Sequence, residues 1–212
     1  MTTPDTPSAA SGALVLADIS GYSSFLRSVA DEHRDDAFAD GAVPDGYRVI
    51  SSLLDGIVSH LIPPFTLSKI EGDAVFAYAT DSEDLPSGQA MFDHVGACYA
   101  DFRQRVETAR SKWQCWCEAC AKIEELDLKF VIHAGPFVIH AIAGRPELVG
   151  SEVVVAHRLL KSRAGDLLDR SGFMLVTDAA SEWFGMPADG GVPLVETPEG
   201  CAPLGARAFA FA

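Results

Sequence analysis

The segment Ala13-Leu14-Val15-Leu16-Ala17-Asp18-Ile19 constrains this chain more than any other. A run so short and so apolar reads as a strand buried in a sheet, and Ser20-Gly21 behind it turns the chain sharply. One carboxylate, Asp18, stands at the end of that strand. Residues from about Tyr22 to Ala30 suit a helix, and the charged, Gly/Pro-containing stretch Asp31 to Asp45 reads as a surface loop.

The pattern then changes period. From Tyr47 to Leu61 the apolar residues Val49, Ile50, Leu53, Leu54, Ile57, Val58 and Leu61 recur at helical spacing, and Pro63-Pro64 stops the helix. Phe65 to Ile70 and Ala74 to Ala79 read as two strands around the tight turn Glu71-Gly72-Asp73. A polar loop, Asp81 to Gly88, leads to a long helix from about Gln89 to Lys112. Two strands, Leu126 to His133 and Phe137 to Ala143, are separated by Gly135-Pro136, and Ser151 to Ser162 is helical. The order predicts an α+β fold with helices on one face of a mixed or antiparallel sheet. Met1 to Gly12, rich in Thr, Pro, Ser and Ala, reads as a disordered tail. Residues 13–212 read as a single domain, with residues 115–125 a cysteine-bearing insert.

Charge narrows the classes of partner. Thirty acidic against 16 basic residues give a net charge of −14, which disfavours nucleic acid and anionic membrane surfaces. One triphosphate remains compatible, because a few local basic groups and metal ions suffice to hold it. No apolar run approaches the roughly 18 residues that cross a bilayer. The first residues lack the basic start and apolar middle of a signal peptide. Five cysteines without an export signal predict reduced thiols and a cytoplasmic protein.

Two carboxylates carry the first chemical signal: Asp18 at the end of a strand and Asp73 in a hairpin turn. If the two strands are neighbours, both carboxylates reach one point on the sheet's edge. Oxygen donors of this kind suit Mg²⁺ or Mn²⁺, which share their ligands with substrate phosphates. Backbone N–H groups of Ile19-Ser20-Gly21-Tyr22-Ser23, at a helix start, could receive those phosphates. Taken singly, each Asp also reads as a helix cap or a turn residue.

Four segments raise the signal. Leu16 to Ser23 (LADISGYS) resembles the opening of class III adenylyl and guanylyl cyclases. Lys69 to Ala77 (KIEGDAVFA) looks like their K-x-x-G-D hairpin, and Val131 to Pro136 resembles the strand after their central helix. Leu148 to Leu159 (LVGSEVVVAHRL) is similar to a diverged form of their last motif. The matches keep the family's order and spacing over residues 13 to about 163, and the resemblance is to a bacterial branch with a cysteine-bearing insert.

The resemblance implies a ferredoxin-like cyclase fold and the conversion of a nucleoside triphosphate, ATP favoured, to a 3′,5′-cyclic nucleotide plus pyrophosphate. It implies that Asp18 and Asp73, with the Ile19 carbonyl, bind two Mg²⁺ or Mn²⁺ ions. Ser20, Gly21 and Tyr22 would meet the phosphates, while Lys69 and Glu147 would read the base. Arg158 would support the transition state catalytically, and a homodimer would share its active sites between subunits. One departure stands against turnover. The family's transition-state asparagine lies four residues before the arginine, and here that residue is Val154. The alternative is therefore a cyclase-fold nucleotide-binding regulatory module of weak or absent activity. His133, a strand histidine beside Gly-Pro, reads as structural rather than as a general base.

Cys115, Cys117 and Cys120, three cysteines in six residues, form a candidate second metal site for a soft ion such as Zn²⁺. A fourth ligand would have to come from Cys98, Cys201, a histidine or a partner subunit. The other reading is three small apolar residues packed in the insert, with Trp113 and Trp116 beside them.

Overall fold

The computed structural model describes residues 6–33, 45–80, 85–112, 115, 117–187 and 189–211. Its first strand, β1 (Ser8–Ser20), begins five residues before the apolar run, so Ser8 to Gly12 are strand rather than tail. They are held by register: Ser8 pairs with Ile139 and Gly12 with Gly135. After β1 come α1 (Tyr22–Glu32), α2 (Asp45–Leu61), β2 (Thr66–Glu71), β3 (Ala74–Thr80) and α3 (Gln89–Lys112). The insert folds as α4 (Glu118–Ala121) and a 3-10 turn, Lys122–Glu125. Then follow β4 (Asp127–Ile142), β5 (Arg145–Val149), α5 (Ser151–Leu159), α6 (Ala164–Leu168) and β6 (Phe173–Thr177). The chain ends with α7 (Asp178–Phe184), β7 (Val192–Glu196) and β8 (Leu204–Ala210). Most of the loop expected at 31–45, part of that at 81–88, and both Trp113 and Trp116 lie outside the described residues.

The sheet has eight strands in the order β2-β3-β1-β4-β6-β8-β7, with β5 paired to β4. It is mixed: β4 and β6 run parallel, and the other pairings are antiparallel. The α+β class holds, but helices cover both faces rather than one. Ala13, Val15, Ala17 and Ile19 face α1, α2, α3 and α7, whereas Leu14 and Leu16 face α5 and α6. Two-sided burial is why this strand is continuously apolar instead of alternating.

The strands expected either side of Gly135-Pro136 form one long β4. Pro136 falls between the stretch of β4 paired to β6 and the stretch paired to β5, where its missing N–H interrupts no ladder on that side. The β4–β5 hairpin closes on Ala143-Gly144, both at positive φ, the two-residue turn whose twist matches its strands. Among the described residues, no helix is long and apolar enough to cross a membrane.

Candidate functional site

Strand register assembles the carboxylates. β1 and β3 pair antiparallel with Asp18 opposite Ala74, and the Ile19 amide donates to the Asp73 carbonyl at 3.2 Å. Asp18 and Asp73 are thereby brought to one end of two adjacent strands. Side chains alternate along β1, so Asp18 shares its face with Leu14 and Leu16, just beyond the area that α5 and α6 cover. On the other flank Lys129 of β4 sits opposite Asp18, and its Nζ lies 2.9 Å from Asp18 Oδ2.

Burial and, after it, the charge of Asp18 hold the Asp73 carboxyl above the usual carboxylate range; its own backbone hydrogen bond and Lys129 oppose the shift. Two mutually repelling carboxylates with hard oxygen donors are a set that a divalent cation neutralises. The donor chemistry therefore fits Mg²⁺ or Mn²⁺.

The turn beside them has the shape of an anion cradle. Gly21 has φ 85°, a conformation strained for any side chain, and accepts from the Phe25 amide at 2.9 Å as α1 begins. The N-cap residue of α1 is this same Gly21, which has no side chain with which to cap the helix start. Tyr22 opens α1, and its phenol pKa is raised by burial and then by the charge of Asp73. Ser20 Oγ donates to the Ser171 carbonyl at 3.3 Å, tying the turn to the segment before β6. A surface concavity of about 460 Å³ opens here, lined by Ser20, Lys129, Asp166 and Arg170 among others. Larger concavities, of about 750 and 790 Å³, lie along α3 and around Pro63-Pro64, away from the aspartates.

A second group forms where β2, β5 and α5 meet. Lys69 Nζ lies 3.0 Å from Glu71 Oε1 and 3.3 Å from Glu147 Oε2, so the two residues expected to read a base are in contact. The hydrogen bond to Glu71 is the largest of the influences that raise the Lys69 pKa. His157 packs edge-on against Phe76 at 4.8 Å, and burial lowers its pKa. Val154 and Arg158 are one turn apart on α5, and Val154 is 45 % exposed. The Arg158 guanidinium touches the Cys201 thiol at 3.5 Å. Among the described residues, no hydrogen bond or ion pair joins Lys69 or Arg158 to Asp18 or Asp73.

His133 is buried and doubly held, Nδ1 3.0 Å from Thr177 Oγ1 and Nε2 2.8 Å from Glu152 Oε2. It links β4, the start of α7 and α5, a structural role. Cys115, Cys117 and Cys120 do come together, and His33 at the end of α1 completes the group. Cys98 is separately buried in α3, with its thiol pushed up to about 12 by burial. Burial raises the Cys117 thiol, but the Cys120 amide and the neighbouring Cys115, Cys120 and His33 groups outweigh it and hold it at about 7.

Four residues of these groups escaped the sequence reading. Lys129 and Glu152 are named only by strand pairing and helix docking, and in the sequence Glu71 reads as a turn residue. His33 is one of six histidines, and nothing local in the sequence singles it out as the fourth ligand.

The model of a family described as "Protein of unknown function (DUF2652)" matches residues 50–166, just over half of the chain. "Uncharacterized protein Rv2561/Rv2562" of Mycobacterium tuberculosis (strain ATCC 25618 / H37Rv) is 29% identical over 119 residues, which are 55% of this chain and 51% of that protein. The chain thus spans about half the length of the curated relative it matches. Among solved structures, the guanylyl cyclase Cya2 superposes with a TM-score of 0.61 at 14% identity, covering 96% of this chain and 93% of that one. The adenylyl cyclase CyaB from P. aeruginosa superposes equally well, at a TM-score of 0.61, 14% identity and coverage of 98% and 97%. The chain has the fold of the class III adenylyl and guanylyl cyclases.

Proposed function

We propose that this chain, which belongs to the family described as "Protein of unknown function (DUF2652)", is a slow nucleotide cyclase-like domain. It converts a nucleoside triphosphate, ATP by preference, to a 3′,5′-cyclic nucleotide and pyrophosphate. The observation that carries the reading is the convergence of Asp18 and Asp73 beside the Gly21 turn, on a scaffold shared with cyclases. Asp18, Asp73 and the Ile19 carbonyl would hold two Mg²⁺ or Mn²⁺ ions, which when bound neutralise the triphosphate and acidify the ribose 3′-hydroxyl.

The chain's own groups do the rest. Backbone amides of Ser20, Gly21 and Tyr22 receive phosphate oxygens at the start of α1. Lys69 and Glu147, paired across β2 and β5, offer a base one donor and one acceptor. The ribose O3′ bonds to the α-phosphorus, the bond from that phosphorus to the bridging oxygen breaks, pyrophosphate leaves, and the hydroxyl proton passes to solvent. Arg158 meets the charge that spreads over the transferring group. Among the described residues no hydrogen bond or ion pair joins Lys69 or Arg158 to the aspartates of their own chain, so the reading assigns them to the site of the partner in a homodimer. The domain acts in the cytoplasm, on a small molecule rather than on nucleic acid or a membrane.

Val154 favours a second reading. It is exposed on the face of α5 that carries Arg158 and offers no hydrogen-bond donor, as suits a regulatory module that binds nucleotide without turning it over. Incubating the pure protein with each of the four nucleoside triphosphates and Mn²⁺ separates the two. Cyclic nucleotide supports the cyclase, and thermal stabilisation by Mn²⁺ plus triphosphate without product supports the module. Stabilisation undiminished in both Asp18→Ala and Asp73→Ala would remove these aspartates from either role.

A further inference from the structure

His33 Nε2, at the C-terminal end of α1, lies 3.6 Å from Cys115 Sγ, 3.3 Å from Cys117 Sγ and 3.4 Å from Cys120 Sγ. The four ligand atoms all lie within 4.8 Å of one another, and the described residues contain no other group of three or more His, Cys, Asp or Glu so placed. Hydrogen bonding alone does not account for this. A neutral ring nitrogen has either one lone pair or one N–H, so it serves one thiol well and not three.

Tetrahedral geometry does account for it. With metal–sulfur bonds of about 2.3 Å and metal–nitrogen bonds of about 2.0–2.1 Å, tetrahedral angles separate nitrogen from sulfur by about 3.6 Å. The three observed separations are all close to that value. The cysteines are free thiols, and three sulfurs set around one nitrogen do not resemble a two-sulfur disulfide.

We propose that His33, Cys115, Cys117 and Cys120 form a closed Cys₃His site for one zinc-class ion, which fastens the end of α1 to the insert before β4. Binding sends to solvent whatever thiol protons the three cysteines still carry and leaves one net negative charge at the site. The fastening has a structural logic. α1 begins at the Gly21 turn and ends at His33, while Cys120, Ile123 and Leu126 on the insert side belong to the main core. Lys122 Nζ also donates to Ser28 Oγ at 2.9 Å, so the insert and α1 already meet one turn before the site. An ion here anchors the far end of the helix whose first residues flank Asp18. Four protein ligands leave no open position, which makes the site structural rather than catalytic.

The test uses the untagged full chain with Asp18→Ala and Asp73→Ala, so that the carboxylates hold no competing ion. Metal-free, reduced protein is titrated with Zn²⁺ against a chromophoric chelator, and separately with Co²⁺ in the spectrophotometer. Expected are one Zn²⁺ per chain and the intense absorption of tetrahedral cobalt–thiolate. His33→Ala and Cys120→Ser should each weaken Zn²⁺ by more than about a hundredfold, since lost outer partners alone cost ten- to a hundredfold. Cys98→Ser should bind Zn²⁺ as the parent does. Zn²⁺ should also slow hydrogen exchange along α1. No Zn²⁺ bound by the metal-free chain, or binding undiminished in His33→Ala, would overturn the proposal, and the cobalt spectrum decides the point even if a variant fails to fold.

Discussion

Lys129→Met tests the cation that stands beside the aspartates. Nζ lies 2.9 Å from Asp18 Oδ2, with 20 and 15 % of the two side chains exposed. At an effective dielectric constant of about 20 such a pair attracts by roughly 6 kcal/mol, most of it offset by desolvation. Exposed pairs are worth about 0–1 kcal/mol, and breaking a buried one costs about 3–5, so this mostly but not fully buried pair should be worth about 2 kcal/mol. Loss of the ammonium also leaves Asp18 and Asp73 repelling each other. For a domain of this size that amounts to a fall of about 4–8 °C in Tm without divalent ions. The same change removes the ion-pair partner of Asp18. On the proposed function Mn²⁺ would then not have to displace Lys129, and about 2 kcal/mol corresponds to roughly thirtyfold tighter binding. Scanning calorimetry with and without Mn²⁺, and calorimetric titration of Mn²⁺ alone, read both effects. A variant as stable as the parent, or one that binds Mn²⁺ no more tightly, would refute the idea that Lys129 occupies the place of the metal.

Val154→Asn puts an amide one turn before Arg158 on an exposed face; cyclic-nucleotide formation should rise at least several-fold, because a donor aimed at developing charge is worth about 2.7–4 kcal/mol, while Tm stays unchanged. Mixing Asp18→Ala with Arg158→Ala protein should recover activity that neither has alone, about one intact site per mixed dimer, and a mixture as inactive as its parts would remove the shared site. His94 gives a pH signature. Burial and then His60 lower its pKa below 6.5, and its Nε2 is buried with no hydrogen-bond partner among the described residues. A base whose folded pKa is depressed contributes stability that is fully present above the unfolded value, near pH 6.5, and lost as pH falls below it. His94→Leu should flatten that acid loss of Tm, and an unchanged slope would mean other groups cause it.

Local physics made much of this protein legible in its sequence. The helical spacing of Val49 to Leu61 gave α2, the Gly72 turn placed Asp73 between two strands, and α3 spans the expected 89–112. Asp18 and Asp73 were identifiable because a carboxylate at a strand end or in a turn breaks the local pattern. Long-range pairing was not legible. Only the β1–β4 register sets Lys129 against Asp18, and only the docking of α5 on the second face corrected a sheet expected to be covered on one side. The uninterrupted apolar run of β1 carries that information, because a strand covered on both faces has no polar alternation. His33 is the clearest case. It lies 82 residues before Cys115, in a stretch with no local sign of metal binding, and nothing but the packing of α1 against the insert brings its ring to three thiols. Sequence fixes which donors exist, because residue type sets chemistry. The fold decides which donors meet, because the contacts that join them close loops of tens of residues, and no short window contains both ends.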